Sequence, residues 1–187
     1  DCVSAVPSWG GNIDTTTLVG GIRYTLQGGS SMTCRASYLA GMSVQNVVSI
    51  TSGDARYIDN YIWGQQLSRS GMFVGNVDNL QIIGNHFFRG GDSTAPDAAH
   101  SITMYYDTVG TKGGLTIVGN SFDHSGGAHV RIRLFTSGTL LRGVLIANNH
   151  GYQNEFTPDG TMPWMDITTE AGTVLTGLSV TGNTGRG

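Results

Sequence analysis

Leu80-Gln81-Ile82-Ile83-Gly84-Asn85 decides the fold, because the chain repeats it. An apolar residue, any residue, a second apolar residue, then a small residue and an asparagine return four more times. The other copies are Ala55-Arg56-Tyr57-Ile58-Asp59-Asn60, Leu115-Thr116-Ile117-Val118-Gly119-Asn120, Val144-Leu145-Ile146-Ala147-Asn148-Asn149 and Leu178-Ser179-Val180-Thr181-Gly182-Asn183. The closing asparagines stand 25, 35, 29 and 34 residues apart. Such a period belongs to solenoids and arrays, not to one globular core. Each copy is too short to bury its own apolar face, so the copies must stack on one another.

A second strand is expected after each of four motifs. These are Gly71-Met72-Phe73-Val74, His100 to Tyr106, His129 to Phe135 and Trp164 to Thr168. Each unit therefore reads strand, tight corner, loop, strand, loop. Asparagine tolerates left-handed backbone angles, which suits a sharp bend. Corners stacked about 4.8 Å apart allow their asparagine amides to form a ladder, and a neighbouring glycine relieves crowding. A sandwich of hairpins is the competing architecture. It requires turn signals every 8–12 residues or so, and Asn-Gly, the strongest hairpin signal, is absent from the chain.

Composition agrees with strands. There is one lysine, Lys112, and there are two glutamates, Glu155 and Glu170, against 29 glycines in 187 residues. The glycine share is about twice the usual ~7%. A formal charge of −3 gives no basic field for nucleic acid, and no apolar run approaches the ~20 residues that span a bilayer. The chain starts at Asp1 without an initiator methionine or a signal-peptide pattern, so a piece of a longer protein is expected. Residues 1–40 read as an irregular lead-in or a first coil, and 41–187 as the repeats. Cys2 and Cys34 either form a disulfide or are two buried small apolar residues; the second reading is preferred because a lone pair is no framework.

These units resemble the right-handed, single-stranded parallel β-helix of the pectin-lyase-like superfamily. Pectate lyases, polygalacturonases, alginate lyases and the trimeric tailspikes of bacteriophages belong to it. The resemblance covers roughly residues 40–187 and implies an all-β solenoid of about five to six coils. It carries no catalytic motif: neither the paired aspartates of polygalacturonases nor the calcium-binding aspartates of pectate lyases are found.

Candidate chemistry follows from alternation along strands. With Val130, Ile132 and Leu134 inward, His129, Arg131 and Arg133 point outward. Levelling Ile132 with Ile167 sets Asp166 beside Arg131, Thr168 beside Arg133 and Trp164 beside His129. With Ile102 or Met104 inward, the preceding unit adds Ser101, Thr103, Tyr105 and Asp107. A one-residue slip would bury every polar group. The wall suits an anionic sugar polymer: arginine grips carboxylates, and Trp164 and Tyr105 offer flat faces. Asp166 with Glu170, or Asp166 with Asp107, could serve as a glycosidase pair. Equally, Asp166 neutralises Arg131 in an ion pair.

Asp92 and Asp97 lie on the long loop 89–100, as groove-edge carboxylates or as a solvated loop. A further loop, 154–163, with Glu155 and Asp159, could overhang the same wall. Asp123-His124, His86 and His150 read as turn residues. No zinc spacing, phosphate loop or cofactor motif is present, so neither metal nor cofactor is expected. The expectation is a tailspike or tail-fibre depolymerase, extracellular or on a virion. It would be a homotrimer that hydrolyses a capsule or O-antigen type of bacterial polysaccharide. Two alternatives stay open: a secreted polysaccharide lyase using Arg131 or Arg133 as base with His129 assisting, and a non-catalytic rod.

Overall fold

The computed structural model describes residues 11–19, 24–28, 31–41, 46–51, 53–64, 70–89, 100–125, 127–152 and 164–185. Among them there are strands and turns but no helix, and every strand pairing is parallel. The strands form three all-parallel sheets of seven, seven and six members, consistent with a parallel β-helix. The chain visits the sheets in rotation. The motif strands, such as Arg56–Ile58, Gln81–Ile83 and Gly110–Val118, lie in the first sheet; short strands such as Tyr61–Gly64 and His86–Phe88 lie in the second. The third sheet holds Ser70–Gly75, His100–Tyr106, Val130–Leu134 and Met165–Thr169 among others. Strands from Asn12–Asp14 to Tyr38–Gly41 occupy the end places of all three sheets.

The second sheet is the element that the two-strand reading of each unit lacked. Its members are only two to four residues long, too short for alternation to announce them. His86 and His150 accordingly open strands instead of sitting in turns.

The asparagine ladder is present and continuous. Asn120 shows its logic. Its Oδ1 accepts the Asn85 backbone N–H at 2.9 Å and the Asn85 Nδ2 at 3.0 Å. Its own Nδ2 donates to the Ile82 carbonyl and to Asn149 Oδ1, both at 2.9 Å. Asn60, Asn85 and Asn149 repeat this pattern, and Ser37 continues the column, its backbone N–H donating to Asn60 Oδ1 at 3.0 Å. Asn85, Asn120 and Asn149 are each 1% exposed, so the bonds satisfy groups that water cannot reach.

One detail of the corner differs from expectation. The left-handed residue is the one before the asparagine: Ala36, Asp59, Gly84, Gly119, Asn148 and Gly182 have φ between 48° and 67°. The ladder asparagine is committed to inward bonding on both sides, so its neighbour takes the bend. Gly84 is required there for a second reason, since a Cβ would overlap the Asp59 carboxylate.

The core is the lumen of the solenoid. Columns such as Cys34, Tyr57, Ile82, Ile117 and Ile146 in the first sheet are fully buried. Cys34 is a free thiol there, 3.4 Å from Asn60 Oδ1, and burial pushes its pKa up to about 11. Cys2 lies outside the described residues.

Along the seam between second and third sheets, large and small residues trade places. Gly71 lies where a Cβ would be 3.2 Å from Phe87 Cδ1; one coil pair later Gly151 lies where a Cβ would be 2.6 Å from His129 Cδ2 and from Trp164 Nε1. Glycine thus changes sheets as the bulky ring does, and in each place it makes room for that ring.

Candidate functional site

The third sheet has the register that alternation predicts. Arg131 pairs with Asp166, Ile132 with Ile167 and Arg133 with Thr168; Thr103 pairs with Arg131 and Tyr105 with Arg133. Ile102, Met104, Tyr106, Val130, Ile132 and Leu134 are 0% exposed and fill the lumen. The outer face therefore carries Phe73, Thr103, Arg131 and Asp166 in one column and Tyr105, Arg133 and Thr168 in the next.

The outer face has a closed half and an open half. Toward the strand starts, Ser101 is 0%, Thr103 3% and Arg131 7% exposed. Here Arg131 is held by two partners: Nε lies 3.1 Å from Asp166 Oδ2, and Nη1 lies 2.9 Å from His100 Nε2. A guanidinium can only donate, so His100 accepts at Nε2. Its Nδ1 then carries the proton and donates to the Ala128 carbonyl at 3.2 Å. Asp166 is thus the countercharge of Arg131.

Toward the strand ends the face opens. Tyr105, Arg133 and Phe135 are half-buried, as is Phe73, which lies in the Arg131 column and reaches Tyr105 across a diagonal. Phe73 meets Tyr105 edge to face at 5.4 Å and 67°, and Tyr105 meets Phe135 at 5.2 Å and 57°. The Arg133 guanidinium sits 4.4 Å from the Phe135 ring centroid and 6.0 Å from that of Tyr105. Phe73 and Phe135 were missed in the sequence; the diagonal, two-residue offset that joins them to Tyr105 was the available signal.

His129 and Trp164 do not join this wall. His129 is 7% exposed, with its ring stacked on Phe122 at 5.4 Å and 14° and against Trp164 at 6.0 Å. Alternation fails because His129 precedes the first paired residue, Val130, and the open volume above Gly151 accepts the ring. Burial lowers the His129 pKa to about 4, partly offset by a hydrogen bond to the Tyr152 backbone.

The candidate carboxylates are not brought together as a pair. Four residues separate Asp166 from Glu170, about 13 Å along a strand, and Asp107 stands both two strand spacings, about 10 Å, and four residues, about 13 Å, away from Asp166. Asp107 is exposed and turns toward the preceding coil, its Oδ1 accepting from Asn76 Nδ2 at 2.5 Å. Retaining glycosidases need about 5–5.5 Å between carboxyl groups and inverting ones about 6.5–9.5 Å. Asp92 and Asp97, like Glu155 and Asp159, lie outside the described residues.

A separate polar cleft of about 620 Å³ opens at the corner between third and first sheets, lined by Asp54, Asp78, Asn79, Lys112 and Arg142 among others. Its acids are already engaged. Asp54 accepts from Asn79 Nδ2 at 3.0 Å, and Asp78 accepts from the Gly113 N–H at 2.8 Å and lies 3.4 Å from Lys112. Among the described residues, no group of three or more His, Cys, Asp or Glu side chains could hold a metal, and no helix is long and apolar enough to cross a membrane. No family model, no curated protein and no solved structure matches the chain.

Proposed function

We propose that this protein is a right-handed parallel β-helix of the pectin-lyase-like kind that binds a bacterial surface polysaccharide along the outer wall of its third sheet. In this reading it is the β-helix of a homotrimeric phage tailspike or tail fibre. One observation carries the proposal: the open half of that wall presents Phe73, Tyr105 and Phe135 as an aromatic row beside the Arg133 cation, on a straight, parallel scaffold. Aromatic rings with polar neighbours suit the two faces of a sugar ring. A regular sheet face suits an extended polymer.

Binding is better supported than cutting by the residues described. Asp166 is held by Arg131, Asp107 by Asn76, and Glu170 stands apart from both. Hydrolysis within this reading uses a carboxylate beyond these three contacts or one brought by a neighbouring protomer.

The test is incubation with a panel of acidic and neutral bacterial polysaccharides, following binding, reducing ends and new ultraviolet absorbance. Binding with reducing ends and no absorbance is the outcome for a depolymerase that hydrolyses. Added absorbance would move the assignment to an eliminating lyase. Binding without new ends would leave a receptor-binding rod, and no binding across the panel would end the polysaccharide reading. Sedimentation checks the trimer, for which a clean monomer is the contrary result.

A further inference from the structure

We infer that Arg133 is a preformed receptor for a sugar carboxylate, so that the wall selects a polymer containing an acidic sugar over a neutral one. This rests on the polysaccharide reading and narrows it to a substrate class.

The two outward arginines of one strand make the contrast. Arg131 and Arg133 are two residues apart on the same face, yet their charges are treated differently. Arg131 has the Asp166 carboxylate at 3.1 Å and the His100 ring at 2.9 Å. Arg133 has no ion pair and no hydrogen bond among the described residues, and its Nε is shielded from solvent without a partner. Of the acids on diagonals to Arg133, Asp166 faces Arg131, Asp107 accepts from Asn76, and the exposed Glu170, two residues past Thr168, makes no ion pair with it among the described residues. Among the described residues this positive charge has no countercharge.

Its geometry is set in advance. The guanidinium Cζ lies over the Phe135 ring, 4.4 Å from its centroid, and the donors of a guanidinium radiate in its plane. The ring covers one side of the group, and with Nε shielded the terminal Nη donors are the ones left for a ligand. The planar, two-oxygen partner that matches such a fork is a carboxylate. Tyr105, 6.0 Å away and half-buried, supplies the adjoining surface for the ring that bears it. Thr168, level with Arg133 and exposed, adds a hydroxyl on the other side.

Two measurements test this. In the first, the Arg133 Nε–H resonance is followed while sodium glucuronate, sodium phosphate or glucose is added to the native protein. The expected result is a saturable shift with glucuronate, at lower concentration than with phosphate, and none with glucose. A shift with glucose, a preference for phosphate, or no shift with glucuronate overturns the inference. In the second, binding of an acidic polysaccharide selected from the panel is compared with its carboxyl-reduced form, and native protein with Arg133→Lys and Arg133→Gln. Carboxyl reduction and either substitution should each weaken binding tenfold or more, with the unfolding midpoint unmoved. Equal binding of the reduced polymer overturns the carboxylate assignment while leaving a polysaccharide binder. A glucuronate shift without any polymer binding has the opposite meaning: Arg133 stands as a carboxylate receptor and the polysaccharide reading falls.

Discussion

Two of the aromatic rows on the outside of this solenoid are built differently. On the second sheet, Tyr38, Tyr61 and His86 stack nearly parallel, at 5.3 Å and 14° and then 4.9 Å and 5°. On the third, Phe73, Tyr105 and Phe135 are turned against one another by 57° to 67°, and Arg133 lies over the last ring. In the parallel row each inner face is used up by the next coil, so the row presents edges and chiefly holds coils together. The turned row leaves faces uncovered and fixes a cation beside them. Under the proposed function, the orientation of the rings and not aromatic content alone separates the row that binds from the row that holds coils.

The comparison can be broken at its shared foundation first. Both rows depend on coils held in register by the asparagine ladder. Asn120→Ala removes an acceptor of two bonds and a donor to three oxygens, leaving buried partners unpaired. The expected loss is about 3–5 kcal/mol, measured by urea unfolding. A loss below about 1 kcal/mol would mean that the ladder is ornamental.

The third sheet's side can then be perturbed by pH alone. His129 is neutral in the folded protein down to pH about 4, but an unfolded histidine takes its proton near pH 6.5. Between those values the unfolded chain binds more protons, so stability falls as pH falls, by up to about 3 kcal/mol. His129→Phe keeps the ring on Phe122 and should flatten that dependence in urea midpoints taken between pH 7 and pH 4. An unchanged slope would place the sensitivity elsewhere.

Asp166→Asn sharpens the distinction between holding and binding. It strips Arg131, 7% exposed, of its countercharge, and about 1–3 kcal/mol of stability should go with it, less than for a fully buried pair because Asp166 is part-exposed. Any polysaccharide cutting should survive in proportion to the folded fraction; complete loss of cutting in fully folded protein would restore Asp166 as a catalytic group.

The smallest effect is the most direct test of the two rows. Tyr61→Ala should cost about 1 kcal/mol of stability and leave polysaccharide binding within a factor of two. Tyr105→Ala should do the reverse, weakening binding severalfold at a smaller cost in stability. Equal responses from both would erase the distinction.

How far the sequence could be read depended on strand length. The register of the third sheet was legible because its strands run five to seven residues, enough for alternation to set Arg131 beside Asp166. The second sheet was not, since two to four residues carry no period. His129 and Trp164 were placed outside because alternation was carried past the first paired residue into a seam where Gly151 and Gly185 leave space for rings. The aromatic row of the open wall was half seen: Tyr105 was in register with Arg133, but Phe73 and Phe135 join it on diagonals that a straight column does not show. The three carboxylates looked like partners because sequence reading counted acids without the spacing between coils.

The ladder also bears on how such a chain reaches its structure. Each asparagine meets the next 25 to 35 residues along, wherever in the molecule the pair lies. A new coil closes a loop of that size whether it is the third or the thirtieth, and closure entropy grows only with the logarithm of loop length. Coils can therefore be added one after another onto a finished edge. Assembly time should scale with the number of steps, not with the distance between the ends of the polypeptide.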